Sequence, residues 1–125
     1  MLIRLDFSSD VPIYLQIRNQ VVLGIADRRL SPGDKLPTIR SMADQSGINM
    51  MTVNKAYQLL KQEGYIQTDR RSGAVISGEP PSGQFPGQYL DSLRLLVSEA
   101  KLHGIDKQAF LIECTRLFDG MEVSK

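Results

Sequence analysis

From Pro12 onward an apolar residue recurs at every fourth position. Ile13, Ile17, Val21 and Ile25 fall on one stripe, which predicts an amphipathic helix. Pro12 suits its first turn, where a missing N–H costs nothing, and Ser31-Pro32-Gly33-Asp34 supplies a turn to end it. A second helix is predicted after Pro37, with Thr38 as N-cap and Ile39, Met42 and Ala43 along it. Gly47 breaks the pattern. A third helix follows from Met50 to Glu63, with Val53, Ala56, Tyr57 and Leu60 on one face and Gly64 as its stop. The period then changes: Tyr65–Thr68 and Ala74–Ser77 flank the tip Asp69-Arg70-Arg71-Ser72-Gly73, which predicts a β-hairpin. Ahead of the helices, Leu2–Phe7 predicts a short edge strand.

Apolar periodicity stops at residues 78–87, GEPPSGQFPG, where glycine and proline favour an extended connection. This divides the chain into a domain over 1–78, a linker over 79–87 and a tail over 88–125. The tail predicts two helices. One carries Tyr89, Leu93, Leu96, Val97 and Ala100 and stops near Gly104; the other starts at Asp106 as N-cap and carries Phe110, Leu111, Cys114, Leu117 and Phe118. A two-helix hairpin with two apolar stripes has little of its own to bury them against, so these residues are expected to pair with a second copy. The fold class is mainly α with a small β-hairpin: a winged helix-turn-helix followed by a two-helix dimerisation tail.

Composition bounds the rest. At 125 residues, 42% hydrophobic and 23% charged, the chain has room for one small core and an appendage. No run approaches the length of a membrane span, and the opening MLIRLDFSSD lacks the cationic and apolar regions of a secretion signal, so a cytoplasmic protein is expected. The single cysteine agrees with that compartment. Net charge is only +1, but it is uneven: residues 1–78 hold ten Lys and Arg against seven Asp and Glu, while residues 79–125 hold five against seven. The front part is therefore where contacts to a polyanion are expected. No Cys, His and Asp cluster has metal-ligand spacing, no glycine-rich phosphate loop follows a strand, and no nucleophile–base pair stands out. Neither an enzyme nor a cofactor is expected.

Helix, helix, tight turn, helix and hairpin, in that order, meet the physical needs of a DNA grip. Ala43 is small where two helices approach, Gly47 permits the sharp turn, and Ile48 and Val53 plug the angle between them. The third helix is then free to face a major groove, whose base edges are distinguishable by donors and acceptors. Four segments, Pro12–Ile17, Leu30–Arg40, Thr52–Leu60 and Glu63–Ile66, together resemble the DNA-binding domain of GntR-family bacterial regulators over roughly residues 10–77. The short tail resembles the YtrA-type subfamily, whose members carry a compact dimerisation unit. MocR-type regulators share the front end but continue into an aminotransferase-like domain for which this chain has no room. The resemblance implies a homodimeric repressor on a roughly palindromic operator in double-stranded DNA. Because relatives with this tail are often encoded beside transporter genes, it also implies a transporter operon as target. It assigns DNA contact to Arg40, to Asn49, Met50, Met51, Thr52, Asn54 and Lys55, and in the wing to Arg70, Arg71, Ser72 and Gly73. Many relatives have arginine where Met50 and Asn54 stand. Asn54 suits an adenine edge and a methionine suits a thymine methyl, which implies an operator richer in A·T.

Plainer roles exist for the same residues. Arg40 also fits a solvated helix residue and Arg70 and Arg71 a solubilising turn, though DNA contact is the favoured reading for all three, whereas Met50 and Met51 read equally as gap-filling core and Lys35 as a loop residue in water. Tyr57 and Tyr65 fit the buried face. His103, beside a helix-ending glycine, suits the helix dipole, and Cys114 suits apolar packing. At this level two alternatives stand beside the repressor: a winged-helix protein–protein interaction module, and an effector-gated regulator with a small-ligand cleft at the dimer interface. The effector itself is unknown.

Overall fold

The computed structural model describes residues 3–71, 73–78 and 83–120, and over these the order is α1 (Ile13–Ala26), α2 (Ile39–Ser46), α3 (Met50–Gln62), β1 (Ile66–Asp69), β2 (Gly73–Ile76), α4 (Gly87–Leu102) and α5 (Lys107–Phe118). The chain divides into two units, Met1–Pro81 and Ser82–Lys125. Residues 79–82 of the predicted linker, 121–125 of the predicted tail, Met1, Leu2 and Ser72 lie outside the described residues.

In the first unit α1 begins directly after Pro12, whose carbonyl accepts from the N–H groups of Leu15 and Gln16 at 3.0 and 3.1 Å. Its inward stripe is Ile17, Val21 and Gly24, with Ile13 and Ile25 half-buried beside them. The helix ends at Ala26, earlier than the Ser31–Asp34 turn predicted to stop it. The cause is local: Arg28 takes the left-handed conformation at φ 67°, and the Leu30 N–H reaches back to the Gly24 carbonyl at 3.0 Å. Thr38 caps α2 by accepting from Ser41 N at 3.0 Å, and Gly47, at φ 69° and ψ 32°, closes it.

The hairpin pairs Ile66 with Ile76 through to Asp69 with Gly73. A two-stranded ribbon alone is marginal in water. Here the loop before α2 adds a third backbone to β2: Gly33 N donates to the Ile76 carbonyl, Ile76 N to that of Asp34 and Leu36 N to that of Ala74, each at 2.9 Å. Lys35 and Val75 form the bridge between them. This seats Leu36, Ala74 and Ile76 in a single core with Ile17, Val21, Met42, Val53, Ala56, Tyr57, Leu60 and Ile66, so every element of the unit contributes to it.

The predicted edge strand is absent among the described residues 3–7: they form no ladder, and the segment passes into a turn at Phe7. Side chains of α1 take the place of a neighbouring strand. The Gln20 carboxamide accepts from Arg4 N at 2.9 Å and donates to the Arg4 carbonyl; one turn earlier Gln16 accepts from Asp6 N at 2.8 Å and donates to the Asp6 carbonyl at 2.9 Å. Alternate residues Ile3 and Leu5 then turn half-buried toward the core.

The second unit is α4, a turn and α5. Asp106 caps α5 by accepting from Ala109 N at 2.8 Å, and Ile105 N donates to the Ala100 carbonyl at 3.0 Å across the turn. Ala100 is the one described residue of this unit that is buried.

Candidate nucleic-acid interface

The angle between α2 and α3 is held at both ends. At the turn, Ile48 N donates to the Ala43 carbonyl at 3.1 Å, Ile48 is half-buried against the core and Val53 is fully buried. At the far side the Tyr57 hydroxyl donates to the Pro37 carbonyl at 2.7 Å, which fixes α3 against the residue preceding the α2 cap. Burial pushes the Tyr57 hydroxyl pKa well above the ordinary tyrosine range. The helix pair is therefore one body, and Arg40, exposed in the first turn of α2, is positioned by the same bonds that position α3.

With Val53, Ala56, Tyr57 and Leu60 inward, the 3.6-residue period leaves Met51, Asn54, Lys55 and Gln58 outward, and all four are exposed. The methionines are not core: Met51 is 77% exposed and Met50 44%. Thr52 is half-buried at the margin of the face. Asn49 has a local task that sequence reasoning missed. It caps α3, its Oδ1 accepting from Met51 N at 2.7 Å, so its amide nitrogen is the part left for an outside partner. The Lys55 Nζ lies 4.2 Å from the centroid of the Tyr14 ring on α1, a contact between two motifs that the sequence kept apart.

At the hairpin tip Arg70 and Arg71 are exposed, and Gly73 opens β2 at φ 71°, a backbone that glycine adopts without strain. Ser72 lies outside the described residues. Arg40, Arg70 and Arg71 enter no ion pair among the described residues, whereas Arg18 pairs with Glu63 at 2.8 Å and stacks 5.7 Å over Tyr65, and Arg29 pairs with Asp27 at 3.0 Å. The Arg29 guanidinium holds the Asp27 carboxyl below its usual range. Of these pairs only Arg18–Glu63 is partly buried and ties α1 to the end of α3, while Arg40, Arg70 and Arg71 stay unpaired among the described residues. Lys35 is exposed, its backbone bridged to Val75.

The tail residues divide by depth. Leu93, Val97, Ala100, Phe110, Leu111 and Cys114 line an apolar cleft between α4 and α5 of about 810 Å³. Leu96, Leu117 and Phe118 stand outward at 54, 74 and 93% exposure. His103 is the C-cap of α4, its N–H donating to the carbonyls of Glu99 and Ala100.

Residues 13–76, the span from α1 to β2, match the family described as "Bacterial regulatory proteins, gntR family". This chain belongs to the GntR family. Its likeness to GntR-family proteins extends beyond that span. The uncharacterized HTH-type transcriptional regulator YhcF of Bacillus subtilis is 33% identical over 82% of this chain and 79% of its own length. The HTH-type transcriptional repressor YtrA of the same organism is 34% identical over 84% of this chain and 83% of its own. Among solved structures, YtrA from Sulfolobus acidocaldarius, a GntR-family transcription factor, superimposes with a TM-score of 0.65 at 38% identity, covering 82% of this chain and 99% of that one. A GntR-family chain is a DNA-binding transcription regulator and not an enzyme. On the exposed side of α3 Met50 and Asn54 are uncharged and Lys55 is cationic.

Proposed function

We propose that the protein is a dimeric repressor that reads a roughly palindromic operator with α3 in the major groove and rests the 69–73 tip on the flanking backbone. The observation that carries this reading is the division of α3. Val53, Ala56 and Leu60 have no exposed surface, while Met51, Asn54 and Lys55 are exposed on the opposite side of a helix whose orientation is locked. Arg40, Arg70 and Arg71 supply the phosphate contacts, Asn54 an adenine edge and Met51 a thymine methyl.

Dimerisation rests on the tail. Two helices of 16 and 12 residues with one buried residue between them are below the size at which a chain stabilises itself. The outward Leu96, Leu117 and Phe118, together with Leu93, Val97 and Leu111 on the wall of the cleft, fit a second copy, which also covers the cleft that otherwise invites a small ligand. For a two-fold dimer the half-sites lie about 34 Å apart or at a multiple of it. Occupancy of a promoter blocks transcription, and the repressor name of the Bacillus YtrA supports that sign.

The test is footprinting on genomic fragments, followed by titration of the protected duplex at several salt concentrations. Affinity is expected to fall steeply with salt, with two protected half-sites in helical phase. Leu96→Glu with Leu117→Glu is expected to give a monomer by sedimentation and to abolish the two-site footprint. Salt-independent binding, or a dimer that survives both charges, overturns the reading.

A further inference from the structure

We propose that Tyr14 is a positioning residue for DNA binding, its ring holding the Lys55 ammonium on the reading face of α3. The inference rests on the reading above that this face meets the duplex. Its own observation is the 4.2 Å separation between Lys55 Nζ and the Tyr14 ring centroid. Tyr14 is half-buried and packs against the core in the first turn of α1, so the ring is fixed by the fold; Lys55 is exposed and has a four-carbon stem to place. A lysine free in solvent loses rotamer freedom whenever it grips a phosphate. An ammonium resting on a ring face has already lost it, because the ring quadrupole attracts the cation from one side. Lysine carries three N–H donors, and those turned away from the ring stay available to an anionic oxygen. The other phenolic candidate, Tyr65, carries Arg18, which Glu63 already engages; Lys55 enters no ion pair among the described residues. The first helix therefore reaches the DNA face indirectly, through a cation it holds and not through a contact of its own.

The probe is the tightest duplex selected from random sequence by the wild-type full chain, with Kd read by fluorescence anisotropy and folding followed by thermal unfolding. Tyr14→Leu is expected to raise Kd by about two- to fivefold, the factor that an exposed cation–ring contact corresponds to. Tyr14→Phe, which keeps the ring, is expected to bind as wild type does. Lys55→Met is expected to lower the slope of log affinity against log salt by about 0.9, while Tyr14→Leu leaves that slope unchanged because the charge remains. In a Lys55→Met background Tyr14→Leu is expected to cost nothing further. An unchanged or tighter Kd for Tyr14→Leu overturns the proposal, since it means the ring is idle or competes with DNA for the ammonium. A loss that persists in the Lys55→Met background overturns it too, because Tyr14 then acts through the fold alone. If the wild-type chain selects no duplex, the DNA reading itself fails; if it does and the cycle is additive, only the role of Tyr14 fails.

Discussion

Replacing Gly47 by alanine isolates the backbone contribution to the helix-turn-helix angle. Gly47 lies at φ 69° and ψ 32°, and a Cβ built there meets no atom within 4 Å. Steric clash with neighbours is therefore excluded from the outcome. What remains is the strain of an L-residue in the left-handed region, about 1–2 kcal/mol. Alanine's smaller unfolded-state entropy returns roughly 0.4–1 kcal/mol of that. The net loss is expected near about 1 kcal/mol, which lowers Tm by about 4–8 °C for a cooperative unit of this size. Thermal and urea unfolding of the full chain, followed by circular dichroism, measure it. Gly47→Asn provides the control, because asparagine enters the left-handed region more readily than alanine. It should recover a good part of the loss. The reasoning is refuted if asparagine is no better than alanine, or if alanine costs more than about 3 kcal/mol, a size that signals disrupted packing and not a single dihedral.

Two further outcomes follow from named contacts. Tyr57→Phe removes the donor to the Pro37 carbonyl and should cost about 0.5–1.5 kcal/mol at neutral pH in equilibrium unfolding. Its pH dependence has a definite sign: the folded-state pKa is raised, so above the ordinary tyrosine value the unfolded chain releases a proton that the folded chain keeps. The Tyr57 contribution is whole below about pH 10 and is lost above it at roughly 1.4 kcal/mol per pH unit, and the phenylalanine variant should show a shallower alkaline slope by that amount. Arg28→Gly should stabilise by about 0.5 kcal/mol, since relief of the left-handed strain exceeds the added unfolded entropy; a lower Tm in thermal unfolding argues that the Arg28 side chain has a role in the turn.

The sequence alone determined the five helices, the hairpin and their order, but not the segment ahead of them. Four-residue spacing of Ile13, Ile17 and Val21, the cap at Thr38, the break at Gly47 and the cap at Asp106 are local signals, set by hydrogen-bond geometry within a turn or two, and each stands where it was expected. The outward face of α3 was legible for the same reason: once one side of a helix is buried, periodicity assigns the other. Tertiary structure decided what local geometry does not encode. The alternation in Leu2–Phe7 is a strand pattern, but an extended segment becomes a strand only if a backbone lies alongside, and here the Gln16 and Gln20 amides lie there instead. Whether Met50 and Met51 were core or surface depended on which neighbours reached them, and none bury them. The end of α1 depended on one residue accepting a strained dihedral, and the contact of Lys55 with Tyr14 on how α1 packs against α3. Periodicity fixes which face of an element is apolar; only packing fixes what each face meets.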